Sequence, residues 1–284
     1  MRKLIVFMTD FTYKEGAVCA MYGVVKSVDK QLDIIDGTHE LPKFDTWSAS
    51  YRIWQAYRFW PEGTVFVLVV DPGVGTRRRA CVAKTADGYY VVSPDNGSLT
   101  HLKKLVGIAE VREIDETRNR LRGKDTESVS VFHGRDLFGY CGAKLASGQI
   151  TYEEVGPAYP VAEIAEHPIL LPEGGNGVMN GIIEISDPNF GNSWTNIPLK
   201  DFLAAGFTYG DTPRVTIAHD GRTVFDQNIL FQPSFGCAQK GRPMIYNNEL
   251  NRVALAVNQG SFMDDYGVGF GAEWRITFRR DNEE

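Results

Sequence analysis

The sequence has few cysteines and no long hydrophobic run. Its four cysteines lie far apart with no C-x-x-C pair, so neither a zinc knuckle nor a redox dithiol is indicated and free thiols are expected. The apolar run at residues 4–8 is too short for a signal peptide. No stretch approaches the roughly 20 apolar residues of a membrane helix. We therefore predict a cytoplasmic protein with no membrane partner.

An excess of positive charge is also absent. Lys and Arg number 30 against 36 Asp and Glu, which gives a formal net charge of −6. Proteins that bind nucleic acids gain affinity by neutralising phosphates with basic side chains, so nucleic acid is not an expected partner. With 284 residues, 43% of them hydrophobic, the chain is long enough for one large domain or two of ordinary size.

Motifs for the common cofactors are missing. The sequence contains no P-loop, no H-E-x-x-H zinc motif and no G-x-S-x-G nucleophile elbow. Gly73-Val74-Gly75 lacks the third glycine of a dinucleotide fingerprint, since Arg78 stands there, and this argues against an NAD-dependent enzyme. The five histidines have no metal-ligand spacing. The common cofactor classes are therefore less favoured.

Glycine, in contrast, is abundant. The chain has 29 glycines, roughly a tenth of its residues where about 7% is typical. Such an excess indicates many turns, or positions where the backbone comes close to a ligand.

The first half alternates short apolar runs with amphipathic stretches. This βαβ pattern is typical of a mostly parallel sheet, and it predicts an α/β domain. An Asp-Gly turn at residues 87–88 predicts a hairpin. The predicted strands are 4–8, 32–35, 64–70, 81–84 and 89–93, and the predicted helices are 18–28, 47–57 and 137–145.

The composition changes near residue 168. Prolines and the Gly-rich run 173–177 predict a linker at 168–178, between an α/β domain at 1–167 and a C-terminal domain at 179–284. Short alternating stretches separated by Gly, Asn and Asp then predict a small antiparallel barrel or sandwich. These stretches are 181–185, 214–218, 223–225, 244–246, 253–257 and 274–278.

Polar residues follow the predicted strands of the first domain. Open α/β sheets bind ligands just beyond the carboxyl ends of their strands. The polar segments are Thr9-Asp10-Phe11, residues 71–79, Pro94-Asp95-Asn96-Gly97, and His133-Gly134-Arg135-Asp136, the last after a predicted strand at 129–132. We expect these segments to meet at one edge of the sheet.

Each segment also has a structural interpretation. Asp95 and Asn96 could form a turn by binding backbone amides, and Asp10 could cap a helix. Consecutive arginines usually face solvent, although Asp71 and a following arginine could form an ion pair across a tight loop. A lone histidine such as His133 is more often a core or capping residue than a catalyst. The combination of Asp, Arg and His at strand ends favours function.

A second candidate site lies at residues 187–197, where amides surround Phe190 and Trp194. An aromatic ring offers a face on which a base can stack, and an Asn can read a purine edge. The alternative is a loop in which Asn and Gly form turns while the aromatic rings belong to the core. The segments that contain Asn248 and Gln259 are open to the same two interpretations.

Taken together, these motifs are similar to those of the S-adenosyl-L-methionine (SAM) hydroxide adenosyltransferases, SAM hydrolases related to the SAM-dependent fluorinase and chlorinase. The matching segments follow the family's order from near residue 4 to about residue 275. They are Thr9-Asp10-Phe11, Thr38-His39-Glu40-Leu41-Pro42-Lys43-Phe44-Asp45, Asp71-Pro72-Gly73-Val74-Gly75-Thr76 with Arg78, Pro94-Asp95-Asn96-Gly97, Phe132-His133-Gly134-Arg135-Asp136, and residues 187–197.

The resemblance implies an N-terminal Rossmann-like α/β domain, a C-terminal antiparallel β-barrel, and a homotrimer. Its active sites would lie between the N-terminal domain of one subunit and the C-terminal domain of the next. The implied reaction converts SAM and water into adenosine and L-methionine by displacement at the ribose C5′, without a metal. A SAM-dependent halogenase and a non-catalytic adenosine- or SAM-binding module are the alternatives.

The resemblance also assigns roles to residues. Asp71 would accept a hydrogen bond from the water or the ribose, Arg78 would fix Asp71, and His133 would orient or deprotonate the nucleophile. The substrate-binding residues would be Asp10 at the ribose hydroxyls, Phe44 near the sugar or base, Asn192 at the adenine and Asp187 at the methionine ammonium, together with Phe190, Trp194, Asn248 and Gln259.

Some positions separate this chain from relatives. The halogenases carry Tyr in place of Asp71, and the fluorinase has a halide-contacting Ser in place of Gly134. An anionic Asp71 beside the nucleophile would repel halide, so hydroxide transfer is favoured. At the methionine end, Glu249 stands where a Ser usually contacts the substrate carboxylate. Ala17 stands where a small hydroxyl or a Tyr is common.

Overall fold

The computed structural model describes residues 4–123 and 131–280. The chain divides into two compact units, Met1–His167 and Pro168–Glu284. Within the described ranges, no helix is long and apolar enough to cross a membrane. That the two units are separate domains joined by a linker at 168–178 stays a prediction.

The first unit contains a seven-stranded sheet flanked by helices. Its strands are β1 (Leu4–Thr9), β2 (Asp33–Thr38), β3 (Val65–Val69), β4 (Ala80–Thr85), β5 (Tyr90–Pro94), β6 (Ile108–Glu113) and β7 (Ala158–Tyr159). Its α-helices are α1 (Ala17–Val28), α2 (Thr46–Ala56), α3 (Thr100–Leu105), α4 (Glu116–Asn119) and α5 (Tyr140–Ser147). A π-helix, Gly134–Gly139, leads directly into α5.

The sheet is mixed, with the strand order β2-β1-β3-β5-β4-β6-β7. Strands β2, β1, β3 and β5 pair in parallel. The remaining pairs, β5 with β4, β4 with β6 and β6 with β7, are antiparallel. This arrangement confirms an α/β unit with a parallel part, and it confirms the hairpin predicted from the Asp-Gly turn.

Strands β1 and β3 are buried on both faces, as their apolar, β-branched runs predict. Alternate side chains point to opposite sides, so Ile5 and Phe7 pack in one core cluster while Val6 and Met8 pack in another. Helices α1 and α5 pack against each other, and α2 contacts α3 and both strands. Burying each such side chain stabilises the folded protein by about 1.5–3 kcal/mol. This burial holds β1 and β3 in place, so the positions of their ends are fixed.

Several details of the first unit differ from the predictions. Strands β6 and β7 and the short helices α3 and α4 were not predicted. Of the strand predicted at 129–132, residues 129 and 130 lie outside the described residues, and Val131 and Phe132 belong to no strand. The helix predicted at 137–145 starts earlier, as the π-helix. It ends as expected at Gly148, whose φ of 74° is the left-handed conformation that favours glycine.

The second unit is built on an eight-stranded antiparallel sheet. Its strands are β8 (Glu173–Gly175), β9 (Val178–Asp187), β10 (Asn192–Pro198), β11 (Arg214–His219), β12 (Arg222–Asn228), β13 (Pro243–Asn247), β14 (Arg252–Val257) and β15 (Trp274–Arg279), with α6 (Leu199–Ala204) and α7 (Phe262–Tyr266). The order is β12-β11-β15-β9-β10-β14-β13, and β8 pairs with β9. The six predicted stretches all lie in strands, so the antiparallel prediction is confirmed.

Residues 187–197 form the β9–β10 hairpin. Gly191 has φ 65°, and a Cβ there would clash with the Ser261 side chain, so the turn requires glycine. Trp194 is 5% exposed while Phe190 is 69% exposed. The turn at Gly191 and the buried Trp194 agree with the interpretation of this segment as a loop with core aromatic rings, whereas exposed Phe190 and the strand β10 do not.

Candidate active site

A cavity of about 340 Å³ lies in the first unit beside the ends of β1 and β3. Four of the residues predicted at this site line it, namely Asp10, Phe44, Asp71 and His133. Asp10 directly follows β1, and Asp71 comes two residues after β3. Because these strands are parallel neighbours, their carboxyl ends bring the two carboxylates to the same edge.

Arg78 forms a two-pronged ion pair with Asp71. Its Nε lies 3.1 Å from both carboxylate oxygens, and its Nη2 lies 2.6 Å from Oδ2. The Arg78 and Asp71 side chains are 9% and 6% exposed. A charge-assisted, bidentate contact that is this well shielded from water is strong and fixes both side chains. The predicted ion pair across a tight loop is confirmed.

The loop between Asp71 and Arg78 turns twice to allow this contact. The amide of Val74 donates to the Asp71 carbonyl at 3.2 Å, and the amide of Thr76 donates to the Gly73 carbonyl at 3.1 Å. Gly75 has φ 78°, which a residue with a side chain rarely adopts. Asp, Pro and Gly are the residues that such turns favour, so this segment brings Arg78 back onto Asp71.

The same guanidinium fixes the protonation of His133. Arg78 Nη2 lies 2.7 Å from His133 Nδ1. A guanidinium can only donate, so Nδ1 is an acceptor and the neutral ring carries its proton on Nε2. Burial, together with the positive charge of Arg78, lowers the pKa of His133 below its usual 6.5. His133 is therefore a neutral hydrogen-bond donor, and its Nδ1 is already in use.

Asp10 binds the backbone of Phe44 at the edge of the cavity. Its carboxylate accepts a hydrogen bond from the Phe44 amide at 3.0 Å, whereas helix α1 begins only after Gly16. The helix-cap interpretation of Asp10 is therefore wrong. Phe44 has φ 64°, a strained conformation for this residue, and its side chain is 69% exposed. Burial raises the pKa of Asp10, the Phe44 amide opposes that rise, and the charge of Asp71 adds to it.

Asp95 and Asn96 have structural roles. Asn96 donates to the Val70 carbonyl at 2.9 Å and accepts from the Ser98 amide. Asp95 accepts from the Ala165 amide at 2.8 Å. These bonds hold the turn after β5 against neighbouring backbone, as the structural interpretation predicted.

A second cavity, of about 910 Å³, lies in the second unit. It is bounded by the β9–β10 turn, the end of β13 and the segment after β14. All the substrate-binding residues predicted in this unit line it, namely Asp187, Phe190, Asn192, Trp194, Asn248 and Gln259. Its volume is within the range of small-molecule sites. The residues predicted from the sequence in this unit therefore line a single ligand-sized cavity.

Aromatic and amide groups share this cavity. Trp194 Nε1 donates to the Tyr246 hydroxyl at 3.1 Å, and the Tyr246 ring lies 4.9 Å from that of Phe235. Asn192 Nδ2 lies 3.3 Å from Asp187 Oδ2. Burial raises the pKa of Tyr246, and the charges of Asp187 and Glu249 add to that rise, so its hydroxyl keeps its proton.

Tyr246 was not among the predicted site residues. It lies in the alternating stretch 244–246, directly before two asparagines. Its position in a predicted strand made it look like a core residue. A polar aromatic side chain next to amide residues at a strand end is the signal that could have identified it.

Asn248 carries an unmet hydrogen-bond donor. Its Oδ1 accepts from the amides of Leu250 and Arg252, both at 3.0 Å. Its Nδ2 is buried and has no partner among the described residues, and the residue is only 4% exposed. A buried amino group without an acceptor is costly, so a ligand atom that accepts this hydrogen bond would be stabilised.

Among residues 4–123 and 131–280, no group of three or more His, Cys, Asp or Glu side chains is placed to hold a metal ion. The expectation that the site needs no metal or cofactor stays a prediction.

Comparison with known proteins identifies the family. Residues 5–156 match the SAM hydroxide adenosyltransferase N-terminal domain, and residues 181–275 match the corresponding C-terminal domain. An (R)-S-adenosyl-L-methionine hydrolase from Methanocaldococcus jannaschii is 34% identical over 76% of this chain and 74% of its own length. A fluorinase from an Actinoplanes species is 29% identical over 96% of this chain and 97% of its own length.

A solved structure has the same fold. The crystal structure of an uncharacterized conserved protein from Thermotoga maritima superimposes with a TM-score of 0.87 at 32% identity, and the match covers 97% of this chain and 100% of the other. The N- and C-terminal family matches together cover most of the sequence and include both cavities. This chain belongs to the SAM hydroxide adenosyltransferase family.

Proposed function

We propose that this protein hydrolyses SAM to adenosine and L-methionine. The observation that carries the proposal is the contact of Arg78 with both Asp71 and His133 at the edge of a ligand-sized cavity. Relatives named (R)-S-adenosyl-L-methionine hydrolase, 30–34% identical to this chain, support it. SAM is then the substrate, and the reaction draws on no cofactor.

The reaction is a displacement at carbon. A water oxygen forms a bond to C5′ while the C5′–S bond breaks, and the bonding electron pair leaves with the sulfur as the thioether of methionine. One proton of the water is released. Since a sulfonium is a good leaving group, most of the catalytic effect comes from holding the water in line with the C5′–S bond.

His133 and Asp71 divide the handling of the water. His133 Nε2–H donates to a lone pair of the water oxygen and so orients it, because Nδ1 is bound to Arg78. Asp71 accepts the proton that becomes acidic as the C5′–O bond forms, and passes it to solvent. Each carboxylate oxygen can accept more than one hydrogen bond, so the ion pair with Arg78 leaves Asp71 able to do this.

The binding roles are distributed over both units. Asp10 receives the ribose hydroxyls, and Phe44 covers the sugar or base. In the second unit, Asn192 reads the adenine, Phe190 and Trp194 supply apolar surface, and Asp187 meets the ammonium. Asn248 and Gln259 complete that cavity. We also infer that the parallel part of the first sheet is Rossmann-like and that the antiparallel sheet forms a barrel.

Exposed apolar side chains at both cavities support contact with another subunit, and the resemblance implies a homotrimer. Phe44 and Val131 line the first cavity and are 69% and 73% exposed, and Phe190 lines the second and is 69% exposed. Large apolar side chains exposed beside a site favour cover by another molecule. We therefore extend the proposal to active sites shared between the first unit of one subunit and the second unit of the next.

Complementation tests the shared site. Asp71→Ala damages only the first cavity and Asn192→Ala only the second. Coexpressed subunits carrying one change each should regain activity, because some sites then combine two intact halves. Continued inactivity of the mixed, correctly sized oligomer would contradict sharing between subunits.

Product analysis tests the reaction itself. Purified protein incubated with SAM should release adenosine at the same rate with and without chloride or fluoride. Appearance of a 5′-halo-5′-deoxyadenosine would support the halogenase alternative, which the fluorinase relatives represent. Binding of SAM without any product would support the non-catalytic alternative. The cytoplasmic location stays a prediction.

A further inference from the structure

His39 is a buried histidine of the first unit that takes no part in the proposed chemical step. It directly follows β2, and its side chain has no exposed surface. Its Nδ1 lies 2.8 Å from the Thr9 hydroxyl oxygen, and its Nε2 lies 3.0 Å from a carboxylate oxygen of Asp36. A buried ring with a hydrogen bond at each nitrogen is held in one orientation.

The partners of His39 set the direction of these hydrogen bonds. A carboxylate only accepts, so Nε2 carries the proton that it donates to Asp36, and Nδ1 of the neutral ring accepts from the Thr9 hydroxyl. The Thr9 oxygen in turn accepts from the Phe11 amide at 3.2 Å. Asp36, His39, Thr9 and the Phe11 amide thus form one continuous set of hydrogen bonds, which we call the His39 network.

Two tyrosines hold the outer end of the His39 network. Tyr13 and Tyr22 both donate to the Asp36 carboxylate, and the Tyr13 ring lies edge-on to that of His39, with 5.0 Å between the ring centroids. The hydrogen bond to Asp36 raises the pKa of Tyr13 to about 12, so this hydroxyl keeps its proton and donates. The network therefore connects a carboxylate that is 36% exposed to the buried end of β1.

The backbone after β1 is also joined to the backbone after β2. The Thr12 amide donates to the His39 carbonyl at 2.8 Å, and the Leu41 amide donates to the Thr9 carbonyl at 3.2 Å. Thr12 has φ 58° and Phe44 has φ 64°. Residues with side chains keep such values only where their surroundings impose them, so these two segments hold each other in strained conformations.

We propose that His39 is a positioning residue for Asp10. Asp10 lies between Thr9 and Phe11, the two residues of β1 and its continuation that the His39 network connects, and its carboxylate accepts from the Phe44 amide. The network fixes the backbone on both sides of Asp10 and so directs its carboxylate to the ribose hydroxyls. The inference rests on the ribose-binding role proposed for Asp10 in the hydrolysis of SAM. His39 itself makes and breaks no bond of the substrate.

A double-mutant cycle between Thr9→Val and Asp10→Ala tests the proposal on the full-length protein. Valine has a similar shape to threonine but lacks the hydroxyl that joins His39 to the Phe11 amide. With Asp10 intact, Thr9→Val should lower kcat/KM for SAM by about tenfold, mainly through KM. Beside Asp10→Ala, it should change kcat/KM by less than about twofold, because no carboxylate is left to position. Thr9→Ser keeps the hydroxyl and should retain most of the activity.

Thr64→Val is the matched control. Thr64 is 2% exposed and its hydroxyl donates to the Pro61 carbonyl at 2.6 Å, but it precedes β3, at the end of the strand away from the cavity. This change should leave kcat/KM unaltered even if it lowers the free energy of unfolding.

Asp36→Ala replaces Thr9→Val in the cycle if the latter does not fold. Asp36 is partly exposed and does not line the cavity, so its removal leaves the core in place. Because it acts through His39, Asp36→Ala should lower kcat/KM by about threefold with Asp10 intact and have no effect beside Asp10→Ala.

An equal loss of kcat/KM in both backgrounds would overturn the proposal, since the His39 network would then support the fold and not Asp10. A Thr9→Ser protein no more active than Thr9→Val would also overturn it. Calorimetric Kd values for adenosine give the same cycle without turnover. If SAM yields no adenosine but the Kd values show the coupling, hydrolysis fails and the positioning role stands. Additive changes in Kd would reject the positioning role whatever the activity.

Discussion

The two cavities differ in the charged groups that surround them. In the first unit, Arg78 is already committed to Asp71 and His133, so the polar atoms have fixed positions and partners. In the second, the charged residues among the described lining residues are all acidic, and Asn248 keeps an unmet donor. Preorganised charge suits a step in which charge moves, whereas unmet groups suit recognition. The comparison is consistent with the proposal that the chemical step belongs to the first unit, while both units contribute to binding.

Among the variants that test this difference between the two cavities, Arg78→Ala is expected to have the largest effect. The change leaves the Asp71 carboxylate shielded and unpaired and releases His133 Nδ1. Adenosine formation should fall by about 10³-fold, and the free energy of unfolding should fall by about 3–5 kcal/mol. Steady-state kinetics and urea titration measure the two losses.

Arg79→Ala is the matched control for that experiment. Arg79 contacts Glu163 at 2.8 Å, but both side chains are over a third exposed. Solvent screens an ion pair of this kind, so activity and stability should barely change. Equal losses in the two variants would show that Arg78 has no special role.

His133 is expected to have the next largest effect. His133→Ala should lower kcat by about 10²-fold, because the water loses its orienting donor, while KM changes little. His133→Gln supplies an amide N–H and should recover part of the loss. If Gln is no better than Ala, His133 acts as a base and the tautomer argument is wrong.

Substitutions in the cavity of the second unit should change KM. Phe190→Ala removes an exposed aromatic face, and stacking of a base on such a ring is worth about 1–3 kcal/mol. KM should therefore rise by about tenfold or more while kcat is nearly constant. Phe59→Ala, which removes an equally exposed ring from the first unit, is the control. A fall in kcat as large as the fall in kcat/KM would place Phe190 in the chemical step.

The smallest expected effect is on stability against pH. Because the pKa of His133 is lowered in the folded protein, the unfolded chain binds a proton first as the pH falls. The stability associated with neutral His133 is complete above the ordinary value of 6.5 and is lost as the pH falls from there toward the lowered pKa. Urea titrations across this range should show a steeper loss in the unaltered protein than in His133→Gln. Parallel curves would contradict the neutral, buried ring.

Much of the fold follows from local patterns. The apolar runs of β1 and β3 predict strands that are buried on both faces. The Asp-Gly turn predicts the hairpin that joins β4 to β5. The grouping of Asp10 with Asp71 follows from parallel pairing, since both come after neighbouring strands. These features depend on short stretches of sequence, which is why they could be predicted.

Strand β10 was not predicted because Asn and Pro, which are depleted in strands, interrupt its strand-favouring Trp194, Thr195 and Ile197. Asn and Ser compete with the sheet for hydrogen bonds, but here the surroundings satisfy them. Asn196 accepts from the Ile182 amide at 2.9 Å and donates to the Leu170 carbonyl at 2.6 Å. The protonation of His133 was equally out of reach, because it depends on a contact with Arg78, 55 positions away in the sequence.

Because the π-helix Gly134–Gly139 lies between His133 and α5, the number of residues in this segment affects the position of His133. Helix α5 is held against β3 at Gly142, where a Cβ would lie 2.7 Å from a Val67 methyl carbon. A π-turn contains one residue more than an α-turn. Deleting one residue would therefore rotate His133 by about 100° about the helix axis relative to α5. His133 would leave Arg78 although every functional side chain was still present, so variants that shorten or lengthen this segment should lose activity.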